Sequence, residues 1–114
     1  MIDLNELSKE CKKISDMRQA NGGVGNDPLK HAAGEIIEAV EARDIAASID
    51  LDSLDTKTKQ KYYNARQLDY ADELADVIIC ALVAGAKENF DMEGAILRNV
   101  DKNRRRALCI GDKL

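Results

Sequence analysis

Two pairs of acids in this chain are spaced to do chemistry together. Glu35 and Glu38 stand three residues apart, and so do Glu73 and Asp76. On a helix, side chains at i and i+3 share a face, with Cβ atoms about 5–6 Å apart. Two such helices packed together would bring four carboxylates to one spot. Carboxylates so placed repel one another, and some must take up protons unless a cation joins them. Mg²⁺ suits such a centre, because it prefers hard oxygen ligands at about 2.1 Å, keeps several waters and binds substrate phosphates. The chemistry open to it there is orienting a water and neutralising charge that develops on a polyphosphate.

The chain has 21 acids, so two pairs at this spacing arise readily by chance. Context sets the second pair apart. Leu74, Ala75, Val77 and Ile78 interleave with Glu73 and Asp76, and no Lys or Arg occurs in residues 72–86. Charges on a densely packed helix need a partner. Here it must be a metal, or a base from another helix such as Arg98 or Lys102.

The elements that must position these acids are helical. Leu4, Leu7, Cys11, Ile14 and Met17 recur at spacings of three and four, which predicts an amphipathic first helix. Residues 21–28 hold three glycines and a proline, which predicts a loop. Asp27 reads as an N-cap and Pro28 as the first helical residue. The second helix is expected over 28–47, with Ala33, Ile36, Ile37, Val40 and Ile45 supplying its apolar surface. Gly34, in mid-helix, costs about 1 kcal/mol against alanine; it is a tolerated defect or, the better reading, a place where a neighbouring helix or ligand approaches closely. Residues 50–53 break the helix. Residues 54–66 are polar, either a short helix or the first turns of the next. The third main helix, expected over 68–86, is apolar on much of its circumference and belongs at the centre of the bundle. After a junction at 88–90, a fourth main helix over 91–107 ends in Arg98, Lys102, Arg104, Arg105 and Arg106. Basic residues there also favour the helix dipole.

Composition sets the outer limits. With 114 residues, 45% of them hydrophobic and 33% charged, the chain fits one globular all-α domain over 1–114. Its first helix and Gly-rich loop fill 1–26, and its helical core with both acid pairs fills 28–107. There is one Phe and no Trp, so the core rests on aliphatic residues. A net charge of -4 argues against nucleic acid as a partner. Cys11, Cys80 and Cys109 are widely spaced with no CxxC, and read as reduced thiols packed as small apolar groups. No signal-peptide pattern opens the chain, and the apolar run 77–86 is too short to span a bilayer. A cytoplasmic protein with no membrane partner is expected.

The residues around the acids carry a resemblance. Residues 33–39, Ala-Gly-Glu-Ile-Ile-Glu-Ala, and residues 72–79, Asp-Glu-Leu-Ala-Asp-Val-Ile-Ile, resemble the two motif helices of the all-alpha nucleoside triphosphate pyrophosphatases, the MazG-like superfamily. The signature there is Glu-x-x-Glu, a spacer, then Glu-x-x-Asp. Residues 102–106, Lys-Asn-Arg-Arg-Arg, are similar to a basic stretch that follows the second motif in many members. The resemblance implies a four- to five-helix bundle that forms a homodimer or homotetramer. It further implies Mg²⁺, with Mn²⁺ able to replace it, on Glu35, Glu38, Glu73 and Asp76, and hydrolysis of a canonical or modified nucleoside triphosphate to the monophosphate and pyrophosphate.

Two departures are visible. Many members carry a further Glu where this chain has Ala32, so Glu38 is either a ligand or the next acid along. The spacer between Glu38 and Glu73 is 34 residues long, and its extra chain is either a pocket lid or an oligomer contact. Ala32 motivates the other reading of the chain, a non-catalytic oligomerisation or nucleotide-binding module with a degenerate metal site. His31 is a helix-start surface residue or a phosphate or base contact. Lys102, Asn103 and Arg106 are phosphate contacts or a solvated helix end. Tyr62, Tyr63 and Tyr70 serve packing or stack on a base.

Overall fold

The computed structural model describes residues 2–20, 27–50, 52 and 55–108. They form α1 (Leu4–Ala20), α2 (Pro28–Ala47), α3 (Thr56–Tyr63), a π-helical segment (Asn64–Tyr70), α4 (Ala71–Lys87) and α5 (Met92–Leu108). No strand occurs among the described residues. The glycine-rich part of the loop expected after α1, part of the break after α2, and Cys109 with the tail lie outside the described residues.

Local chemistry sets the helix ends. Asp27 accepts from the backbone N–H groups of Leu29 and Lys30 at 3.1 and 3.3 Å, with Pro28 in the first turn. Asp55 caps α3 by accepting from Thr58 N–H at 2.7 Å. α4 ends in a Schellman turn. Asn89 adopts φ 58°, Phe90 N–H donates to Gly85 O at 2.9 Å, and Asn89 N–H donates to Ala86 O at 3.1 Å. Asparagine tolerates that left-handed position better than most residues.

α4 is the centre, with α1 on one side and α2 on another. α2 and α4 run antiparallel. Glu35 lies by Asp76 and Glu38 by Glu73, while Ile45 and Ile49 lie by Asn64 and Ala65. Ser8, 3% exposed, donates from Oγ to the Leu82 carbonyl at 2.6 Å and fastens α1 to α4. Asn5 fastens α1 to α5, donating to Asp91 Oδ1 at 2.8 Å and accepting from Glu93 N–H at 3.1 Å.

Three expectations need correction. First, α2 turns its alanines, not its isoleucines, inward: Ala39, Ala42 and Ala46 are buried, whereas Ile36, Ile37, Val40 and Ile45 are exposed. Small side chains let two helix backbones approach closely, and bulky ones are left outside. Second, Gly34 meets no neighbour: a Cβ built there finds no heavy atom within 4 Å. It faces away from α4. Gly85 is the position of close approach, where a Cβ would overlap the Met92 side chain. Third, residues 68–70 do not open an α-helix but close the π-helical segment that joins α3 to α4. Each π turn takes one more residue than an α turn. The breadth of apolar surface on α4 is not matched by burial either. Leu82, Val83 and Gly85 are buried, but Leu74, Ile78 and Ile79 are exposed.

Candidate metal centre

Glu35 lies on the face of α2 that carries Ala39, Ala42 and Ala46, so packing directs it at α4. Glu73 and Asp76 occupy the first turns of α4, which continues from the π segment without a capping side chain. One carboxylate oxygen from each of Glu35, Glu73 and Asp76 lies within 4.8 Å of the others. Glu38, one turn along α2 and exposed, reaches hydrogen-bond distance of both Glu35 and Glu73.

The electrostatics are those of crowded acids. Burial, then hydrogen bonding to and repulsion from Glu38, then repulsion from Asp76, push the Glu35 carboxyl up to about 7 from an ordinary 4.5. Burial and Glu38 raise Glu73 as well. Every charge acting on these two groups is another carboxylate. The ion pairs found among the described residues, Lys9–Glu6, Lys12–Asp16, Arg43–Asp44 and Arg105–Asp101, lie elsewhere.

Oε2 of Glu35 and Oε2 of Glu73 are shut off from water and have no hydrogen-bond partner. An anionic oxygen left this way is costly. The donor set is all hard oxygen, the type that Mg²⁺, Mn²⁺ or Ca²⁺ takes. The cluster can therefore coordinate a divalent cation, and its orphaned oxygens fit one.

Cys80 completes the surroundings, a place beyond the simple packing expected of it. It is half-buried, one turn past Asp76, and its thiol is pushed up by burial and then by Glu35 and Asp76. The one signal for this in the residues is the i+4 spacing from Asp76. Cys11 is buried, as a packed thiol.

The other candidates are spread out. His31 is exposed, one turn before Glu35 on the same helix. Lys102, Asn103 and Arg106 are exposed on α5, which packs mainly on α1 and the end of α4. None of the three acts on Glu35 or Glu73. Tyr62 is half-buried, with the Arg66 guanidinium 5.6 Å from its ring centre. The long spacer forms α3 and the π segment. With Ile45 and Ile49 they frame an open cleft of about 760 Å³ lined by Lys57, Lys61, Asn64 and Ala65. Ile45 is ten residues from Glu35, roughly 15 Å along α2, so this cleft is separate from the acids.

No protein-family profile matches the chain, and no curated protein or solved structure matches it either.

Proposed function

We propose that the chain is a Mg²⁺-dependent nucleoside triphosphate pyrophosphohydrolase of the all-alpha, MazG-like type, a cytoplasmic enzyme that works as a homo-oligomer. The observation that carries this reading is the pair of buried, partnerless oxygens on Glu35 and Glu73, set between the two motifs that resemble that superfamily. Glu35, Glu73 and Asp76 would hold the cation, and Glu38 borders them. When bound, Mg²⁺, with Mn²⁺ as a substitute, supplies positive charge against the polyphosphate and makes water more acidic. The chain's own part is to fix that charge in place and to take a proton on one of the four carboxylates. Water then adds across the α–β phosphoanhydride, and the monophosphate and pyrophosphate leave. His31, Lys102, Asn103 and Arg106 are the groups offered to the phosphates.

Ala32 favours a second reading. It is half-buried one turn before Glu35 and offers no ligand atom. A helical module that binds nucleotide without cleaving it would fit a site short of one acid. Incubation with canonical and modified triphosphates plus Mg²⁺, with pyrophosphate as the readout, separates the two. Pyrophosphate release that is lost in Glu73→Gln supports the enzyme. No turnover with any nucleotide, but Mg²⁺-dependent nucleotide affinity, supports the module. No turnover and no such affinity overturns both.

A further inference from the structure

Between the end of α2 and α3 the chain leaves a wedge. α3 packs on the π segment and makes little contact with α2, and it contributes no buried residue. The cleft of about 760 Å³ opens in that wedge, and its size is one that holds a small molecule. The α2 wall is apolar. Ile45 is 60% exposed and Ile49 half-buried, with the buried Ala65 at the base. The α3 wall is polar. Thr56, Gln60 and Asn64 form one row at spacings of four, and Lys57 and Lys61 form a second row beside it. A helix built to close on those isoleucines would carry aliphatic side chains at 57, 60 and 61. An apolar wall facing a polar, charged one is instead the lining of a site for a small amphipathic ligand.

The polar wall specifies more than a charge. Lys57 and Lys61 enter no ion pair among the described residues. At i and i+4, their ammonium groups can converge on one anionic group. Against them the lining sets a single acid, Asp69. One phosphate suits that balance, whereas a triphosphate carries more negative charge than two lysines offset. Gln60 donates from Nε2 to Asn64 Oδ1 at 2.8 Å. That bond leaves the Gln60 carbonyl oxygen as an acceptor and the Asn64 amino group as a donor, side by side. An acceptor beside a donor matches the hydrogen-bonding edge of a nucleobase. A hydrocarbon chain would use neither group and would take water from Asp69 at a cost. Inorganic phosphate would use the lysines and leave the isoleucines bare.

We propose that the cleft between α2 and α3 binds a nucleoside monophosphate, with the phosphate on Lys57 and Lys61, the base on Ile45 and Ile49, and the edge of the base toward Gln60 and Asn64. The site lies roughly 15 Å along α2 from Glu35 and uses none of the four acids, so it works without a metal. The bound ring covers the exposed isoleucines and gives α3 a packed side. This assignment stands whether or not the chain cleaves triphosphates. Where it does, a role for the cleft rests on that reading: the ligand is of the class the reaction releases, and the product acts back on the enzyme from a second site.

Amide NMR spectra of the purified chain in EDTA, titrated with the common ribonucleoside and deoxyribonucleoside monophosphates, test this. At least one should shift the amides of Ile45, Ile49, Gln60 and Asn64 saturably, with a dissociation constant below about 1 mM. It should bind at least about tenfold tighter than inorganic phosphate or the matching nucleoside. Replacing both exposed lysines, Lys57→Gln with Lys61→Gln, should weaken it by about tenfold or more. No saturable shift by about 10 mM would overturn the proposal. So would shifts centred on Glu35 and Glu73, equal binding of inorganic phosphate, tighter binding of decanoate, or unchanged affinity in the double variant. EDTA keeps Mg²⁺ from the acids, so a failure here leaves the hydrolysis reading standing, and an absence of pyrophosphate release leaves this one standing. Should the double variant fail to fold, the titration of the unmodified chain decides by itself.

Discussion

Glu35 and Glu73 approach from antiparallel helices, and each turns an oxygen away from water with no donor to meet it. The arrangement follows from small residues. Ala39, Ala42 and Ala46 are buried where α2 packs on α4 and its π-helical lead-in, and the charges that act on Glu35 and Glu73 there are other carboxylates. The free chain tolerates the crowding by holding protons; a cation would replace them. Structure, protonation and metal binding are thus one linked equilibrium.

Glu73→Gln should therefore act in two opposite directions. Without divalent cation, it removes one of the repelling charges, and the melting temperature should rise. With Mg²⁺ present, the stabilisation seen in the unmodified chain should shrink. Saturation at about 100 times the dissociation constant stabilises by about 2.7 kcal/mol, and a loss of affinity beyond about 100-fold cancels it. Melting curves of both proteins in EDTA and in a Mg²⁺ series check this. A variant that melts lower in EDTA and keeps the full Mg²⁺ response would show that Glu73 is not part of the site.

The raised Glu35 carboxyl fixes a pH dependence. Its folded value is about 7 and its ordinary value 4.5. Between these the folded chain keeps a proton that the unfolded chain has released. Stability in EDTA should thus fall as pH rises from about 4.5 to about 7, and then level off. Glu73, also raised, adds in the same direction. Asp91, held low by Asn5 and the Gly94 N–H, acts outside this window: its contribution is present above 3.8 and is lost at lower pH. Mg²⁺ must displace the Glu35 proton, so its affinity should climb with pH up to about 7, by at most about tenfold per unit for one proton. Titration calorimetry at pH 6 and pH 8, in buffers of different ionisation enthalpy, measures both the affinity and the proton released. An affinity independent of pH would exclude Glu35 as a ligand.

Much of this layout can be read from the residues alone, and the failures have physical causes. Asp27 and Pro28 mark the start of α2, and the three-four spacing of Leu4, Leu7 and Cys11 marks α1. The facing of α2 is harder to read because the helix is apolar on two sides. Hydropathy favours the Ile36 and Val40 side as core, whereas the alanine side makes the close contact and the larger side chains stay exposed. The π segment has no residue signature. Residues 64–70 would form an α-helix equally well, and the extra residue per turn is set by packing against α2. The acid pairs are visible as spacing, but that Glu38 stands at the rim, within reach of Glu35 and Glu73, depends on the antiparallel register. Asn89 is itself a C-terminal turn signal, and it makes the junction at 88–90 a Schellman turn rather than a plain break.

The alanine contact makes its own prediction. Ala46 is 1% exposed where α2 meets the π segment. Ala46→Leu forces three further carbons into a filled space and should cost about 1–3 kcal/mol, read from urea denaturation with an unchanged slope. Ala47→Leu, one residue on and exposed, should stay within about 0.5 kcal/mol. Equal effects at the two positions would mean that the alanine face is not the one against α4.

The π segment can be tested by shortening it. Deleting Gln67, which is exposed, lets residues 64–70 close into α-helical turns; six residues in α turns sweep nearly the angle of seven in π turns, so α3 rotates against α4 by only a few tens of degrees. One of the two helices must absorb that rotation. α4 is fastened on both sides, to α1 through Ser8 and Leu82 and to α2 through the alanine face, whereas α3 packs mainly on the π segment. α3 should therefore move and α4 stay. The Mg²⁺-dependent rise in melting temperature should survive the deletion, while the cleft between Ile45, Ile49, Lys57 and Lys61 changes shape and its amides lose exchange protection. If instead the Mg²⁺ response disappears in a chain that still folds, the π segment is what holds Glu73 and Asp76 in register with Glu35.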